Sequence, residues 1–246
     1  MRVAHCGFGL RKDSGVRTVL SMPDSHNSGA GADAAAGLLR LAQQVQQLKR
    51  VPRQGWLDRG VPPLNAESVA DHSLGVALLA WMSALEARTT GAALDPARVL
   101  ALALVHDLAE AQAGDWTPYS ADDVARHDAG DERAAFLNER QVRSPERSAA
   151  KRAAEQSAIN ELVSELPRVA GATIASLWEE LAAGETPEAR FVKQVDRLET
   201  FLQSRAYLAE DGTLPMASFA TEASTEITDP LLASVRDIQL AREEER

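Results

Sequence analysis

The chain has 246 residues, 36 of them acidic and 26 Lys or Arg, for a net charge of −10. Such a surface repels a polyanionic backbone, which excludes a nucleic-acid polymer as partner but not a small phosphorylated molecule held by a local arginine or cation. One cysteine, Cys6, excludes a disulfide framework and fits a reducing cytoplasm, and no apolar run reaches membrane-spanning length.

In chain order, residues 1–32 read as a disordered N-terminal tail without the continuous apolar core of a secretory signal, and Met22 is an alternative start. The turn-forming stretch PDSHNSGAGAD, 23–33, marks the boundary to a single domain over 33–246. Leu38, Leu41, Val45 and Leu48 then recur at helical spacing and predict a first helix with those four residues facing the core. VPRQGWLDRGVPPLN interrupts it with three prolines and two glycines, a long loop of the kind that carries function. A second helix is expected over 66–88, with Asn65 and Ser68 competing as N-cap and Ser68–Asp71 resembling a capping box. Asp95 and Pro96 open a third helix that Gly114 stops. Further helices are expected after Ser120 and over 131–141, 148–165, 169–182, 187–209 and 229–243. No strand alternation and no repeat appear, so the fold class is all-α.

The chemistry concentrates in ALALVHDLAEAQAGDWTP, 101–118. Leu102, Leu104, Val105 and Leu108 make it an apolar helix, yet His106, Asp107 and Glu110 project from one side of it. Burying two neighbouring carboxylates unpaired costs several kcal/mol, and a divalent cation reverses that sign. The plain alternative is a solvated polar stripe. His72, on the apolar face of the preceding helix, adds a second imidazole to the same core. Imidazole with carboxylate suits Mn, Fe, Co, Zn or, with more oxygen ligands, Mg. Asp196 lies beside the stripe Phe191, Val195, Leu198 and Leu202, where a surface salt bridge to Lys193 or Arg197 is the default reading. In the Pro/Gly-rich loop, Arg53 offers a bidentate grip on phosphate. Trp56 offers a stacking face or a wall, or else packs in the core. Lys49, Arg50 and Arg59 read as helix-dipole or surface partners and His127 as a solvent-facing residue. Trp81, Trp116 and Trp178 read as core or interface residues.

His72, then His106-Asp107, then Asp196 resembles the H…HD…D pattern of the HD-domain metal-dependent phosphohydrolases. RVPRQGWLDRGV, ESVADHS, ALVHDLAEAQAGDWTP and TPEARFVKQVDRLE bring it nearest to the 5'-deoxynucleotidase branch, of the YfbR and HDDC2 type, over roughly residues 35–210. The resemblance implies an HD-domain helical bundle with a divalent cation held by His72, His106, Asp107 and Asp196 between its central helices. It also implies hydrolysis of deoxynucleoside 5'-monophosphates, and a homodimer. Glu110 is then placed to activate or orient water, or to protonate the leaving 5'-oxygen. Asp115 serves substrate binding and catalysis, and otherwise is a loop carboxylate capping TPYS. Arg53 and Trp56 are expected to contact substrate. Two other readings stand beside this one: an HD phosphohydrolase acting on a cyclic nucleotide or an alarmone, and a catalytically idle helical interaction module.

Overall fold

The computed structural model describes residues 27–127 and 130–245. Among these, twelve helices and no strand appear, the closest approach to sheet being an isolated bridge between Pro52 and Ser68. The all-α expectation is met. The expected tail over residues 1–32 lies outside the described residues up to 26, and the stretch read as a turn-rich boundary is already helical from Asn27.

Helix α1 (Asn27–Leu48) buries Gly37, Gln44 and Leu48, whereas Leu38 and Val45 face outward. The expected stripe was therefore turned by part of a helical step. The reason is close packing, since a Cβ on Gly37 would stand 3.0 Å from the Glu165 carbonyl, and Gln44 donates to the Leu108 carbonyl. The Pro/Gly-rich loop holds a short helix, α2 (Gln54–Asp58). Ser68 wins the competition to cap α3 (Val69–Thr89), because its hydroxyl accepts from the Asp71 N–H while the Asp71 carboxylate accepts from the Ser68 N–H.

The expected third helix is two pieces, α4 (Pro96–Val105) and α5 (Glu110–Ala113), separated by a turn over 106–109. There the ladder tightens: the Leu108 N–H donates to Val105 and the Glu110 N–H to Asp107, each three residues back. Leu104, expected in the core, is exposed, while Leu102, Val105 and Leu108 are buried. Beyond Gly114 come α6 (Ala121–Ala125), capped by Ser120 with Asp123, then α7 (Asp131–Asn138) and α8 (Pro145–Glu165). The chain continues through α9 (Arg168–Ala183), α10 (Pro187–Glu210), α11 (Ala217–Glu226) and α12 (Pro230–Glu244). Helix α11 falls in a stretch with no sequence assignment, and α8 starts earlier than expected because Ser144 caps it and Pro145 takes its first position.

Helix α3 packs most extensively on α4 and α10, and α10 also packs on α4. Val76, Ala80, Val99, Leu102, Val195 and Leu198 meet in the resulting core. The alanines of α3 let these axes approach closely, so polar residues placed on the shared faces are drawn together at their centre. A second, smaller cluster of Trp56, Val61, Tyr207 and Met216 anchors the loop of α2 to the far end of α10. No helix among the described residues is long and apolar enough to cross a membrane.

Candidate functional site

Helices α3 and α10 and the turn between α4 and α5 deliver four side chains to one point. His72 Nε2 lies 3.1 Å from Asp196 Oδ1, 3.4 Å from His106 Nε2 and 3.6 Å from Asp107 Oδ2. His106 Nε2 lies 3.2 Å from Asp107 Oδ2. These separations match the edges of a coordination polyhedron, about 3.0–3.4 Å for ligand bonds near 2.1 Å. His72, His106 and Asp196 by themselves could hold a metal ion. The residues expected to converge do converge. Asp196 faces His72, not a surface lysine.

The tightened turn explains why His106, Asp107 and Glu110 all face inward from an apolar segment. His106 Nδ1 stands 2.7 Å from the Ala103 carbonyl oxygen, which can only accept, so Nδ1 carries a proton and Nε2, turned to the cluster, is the nitrogen that would ligate a cation after giving up its own. His72 has the same arrangement with a different acceptor. Its Nδ1 stands 2.5 Å from Glu199 Oε2, and the ring is fully buried.

Arg53 closes the opposite side. Its guanidinium donates to Asp107 Oδ2 at 3.4 Å and to Thr200 Oγ1 at 3.3 Å. Burial works against its charge, but Asp115, Asp107, Asp196 and Glu110 outweigh burial and keep the guanidinium protonated. Asp115 Oδ2 accepts from the Gln54 N–H at 2.6 Å, so it caps α2 and fixes the loop that carries Arg53. This corrects the expectation that a capping Asp115 would serve TPYS. Trp56 is 1% exposed and its indole N–H donates to Glu67 Oε1 at 2.8 Å. Its ring packs with Val61, Tyr207 and Met216 and also borders the cavity over the cluster.

Glu110 is 2% exposed, its Oε1 accepts from Lys151 Nζ at 2.8 Å, and its Oε2 is buried with no hydrogen-bond partner. Burial and the neighbouring Asp107 raise its carboxyl to about 8 against the pull of Lys151. His72 moves up to about 10: burial and Arg53 resist this, but Asp196 and Glu199 prevail. Asp107 is held well below the usual carboxylate range, since His106, His72 and Arg53 together outweigh burial. A cavity of about 570 Å³ opens over these groups, with Trp116, Lys151, Lys193 and Arg197 on its walls. That places a local cationic rim on an acidic protein.

Sequence reasoning missed Lys151, Glu199, Thr200 and the part played by Arg59. Lys151 sits in an ordinary polar helix and nothing local marks it. Glu199 carried a signal: it follows Asp196 by three residues and so shares its helix face. Arg59, read as a surface partner, is buried and donates to Tyr119 Oη, Ser218 Oγ and the carbonyls of Gly55, Leu137 and Pro215. It ties the α2 loop to three other segments. His127 stacks on Phe136 with ring centroids 4.5 Å apart and is partly covered, and Trp81 is exposed.

The raised Glu110 carboxyl makes a sign-definite prediction for the metal-free chain. Its folded value of about 8 exceeds its ordinary 4.5, so its contribution to stability is fully present below 4.5 and is lost as pH rises through 8. Stability of the metal-free wild type should therefore fall more steeply with pH between about 4.5 and 8 than that of Glu110→Gln. The difference should reach a few kcal/mol at most. Parallel slopes would show that burial does not disfavour the Glu110 anion.

The comparisons with known proteins agree with this geometry. The family described as HD domain matches residues 45–233. The mouse protein named 5'-deoxynucleotidase HDDC2 is 34% identical over 178 residues, 72% of this chain and 73% of its own length. The human protein of the same name is 35% identical over 180 residues, 73% of this chain and 71% of its own. Among solved structures, a conserved hypothetical protein from Pyrococcus furiosus superposes with a TM-score of 0.58 at 26% identity, covering 84% of this chain and 99% of that one. A family match over most of the chain, centred on a buried His, His-Asp, Asp cluster, places the chain in the HD-domain family.

Proposed function

We propose that the chain is a divalent-metal-dependent phosphatase that releases inorganic phosphate from deoxynucleoside 5'-monophosphates, acting in the cytoplasm as a homodimer. The observation that carries the reading is the convergence of His72, His106, Asp107 and Asp196 beneath a cavity walled by Arg53 and Glu110. The substrate class comes from the relatives named 5'-deoxynucleotidase HDDC2.

Two imidazoles and two carboxylates fit Mn, Co, Mg, Fe or Zn. A cation of this kind, held by His72, His106, Asp107 and Asp196, supplies Lewis-acid polarisation of the phosphoryl group and water acidic enough to react near neutral pH. The remaining work falls to the chain itself. Arg53, steadied by Asp115 through the α2 N-terminus, grips a phosphate oxygen. Glu110 holds or moves a proton, at the attacking water or at the leaving 5'-oxygen, through its unpartnered Oε2. Lys151 keeps that carboxylate aimed through Oε1. Trp56 backs the loop from the core.

Arg53 meets a charge already present in bound substrate, and Glu110 meets one that changes during reaction, so their variants should fail differently. Arg53→Ala should raise KM about ten- to a hundredfold, the equivalent of a charge-assisted hydrogen bond of roughly 1.5–3 kcal/mol. Glu110→Gln should bind substrate normally and lose about a hundredfold or more in kcat. Steady-state phosphate release from a panel of deoxynucleotides, cyclic nucleotides and alarmones at saturating metal reads both effects. Brisk turnover of only the latter two classes would contradict the substrate assignment, and near-normal kcat in Glu110→Gln would contradict the role given to that carboxylate.

The homodimer reading rests on the outer face of α3. Leu74, Leu78, Trp81, Met82 and Leu85 recur at helical spacing and are exposed. An apolar stripe along a helix of 21 residues suits an isologous contact with the same helix of a second copy. Light scattering should give a dimer mass for the wild type and a monomer mass for Leu78→Glu. A monomeric wild type at micromolar concentration would contradict it.

A further inference from the structure

We infer that Glu199 is a positioning residue for His72: it accepts a hydrogen bond from Nδ1–H and so fixes the imidazole with Nε2, the nitrogen open to a cation, turned toward Asp196, His106 and Asp107. The inference deepens the metal-site reading above and rests on it.

Three observations carry it. First, Glu199 Oε2 lies 2.5 Å from His72 Nδ1, on the side of the ring opposite Nε2, which lies 3.1 Å from Asp196 Oδ1. Second, the same device appears at His106, whose Nδ1 is held by the Ala103 carbonyl. Both rings thus present Nε2 to one point, each set by its own acceptor. Third, α3 makes room for the carboxylate. Gly75 follows His72 by three residues, and a Cβ there would stand 2.7 Å from Glu199 Oε1 and 3.2 Å from Cδ. Glycine inside a helix costs about 1 kcal/mol relative to alanine, so its presence one turn from His72 calls for a reason. The space taken by Glu199 supplies it. An acceptor on the far nitrogen also raises the basicity of a ligating imidazole.

A competing use of Glu199 is a second cation site, because Glu67, His72 and Glu199 also lie close enough to share an ion. His72 argues against it. A ring that bound ions through both Nδ1 and Nε2 would have to lose both protons, whereas Nδ1–H donated to a carboxylate needs no such step. Glu67 is also engaged, accepting from the Trp56 indole N–H and donating its own backbone N–H to Tyr207 Oη.

The test uses the full chain and manganese(II) titrated by calorimetry at a temperature where circular dichroism shows every variant folded. Glu199→Ala should weaken manganese binding about ten- to a hundredfold. Glu199→Gln, whose amide oxygen can still accept from Nδ1–H, should recover most of the loss. Gly75→Ala, which displaces the carboxylate without removing it, should weaken binding in the same direction. Should Glu199→Ala fail to fold, the wild type still decides. In the zinc-loaded chain, nitrogen-15 NMR should show a slowly exchanging proton on His72 Nδ1, and a proton on Nε2 would overturn the inference. His106→Ala is the control for the underlying site. Loss of binding in His106→Ala together with wild-type affinity in both Glu199 variants would overturn the role of Glu199 alone. Undiminished binding in His106→Ala would overturn the metal site, and the inference with it.

Discussion

The structure depends on a balance of charge at one buried point. Two imidazoles, two carboxylates and a guanidinium are linked by contacts of 3.1–3.6 Å where three helical elements cross. His72 is fully buried and the others are largely covered, so water screens them weakly and their charges must be offset by neighbours or by a bound ion. Arg53 and the raised imidazoles offset Asp107 and Asp196 in the metal-free chain. A cation held by these residues would take over that part in exchange for protons from the histidines, which would couple its affinity to pH.

This constraint explains features that packing alone would not select. The break between α4 and α5 forgoes regular helical bonds at 106–109, and in return three ionisable side chains from an apolar segment point the same way. Gly75 weakens α3 as a helix but admits Glu199 beside it. Asp115 and Arg59 brace a loop rich in proline and glycine that would otherwise leave Arg53 free to wander. Each departure from local preference lies within reach of the cluster, as expected where a site is built at the expense of its scaffold.

Much of this was legible in the residue order, for identifiable reasons. The caps at Ser68, Asp95 and Ser120 are local chemistry and read directly. The convergence of His72 with His106 followed from two apolar faces that had to bury each other. What could not be read depends on tertiary contact. The face of α1 was turned by the close approach at Gly37 and by Gln44 reaching the Leu108 carbonyl. Lys151 comes from a helix far along the chain, and its pairing with Glu110 leaves no trace in either segment. Arg59 looked like any loop arginine, because its five partners come from scattered parts of the chain.

The account stands or falls on a cation at the meeting point of His72, His106, Asp107 and Asp196. Anomalous diffraction from crystals of the full chain grown with manganese locates such an ion directly, and elemental analysis of the same preparation counts it. The account predicts one ion per chain, bonded to both Nε2 atoms and to oxygens of both aspartates at about 2.0–2.2 Å. A crystal that holds manganese elsewhere, or none while these four side chains stay in place, would contradict it.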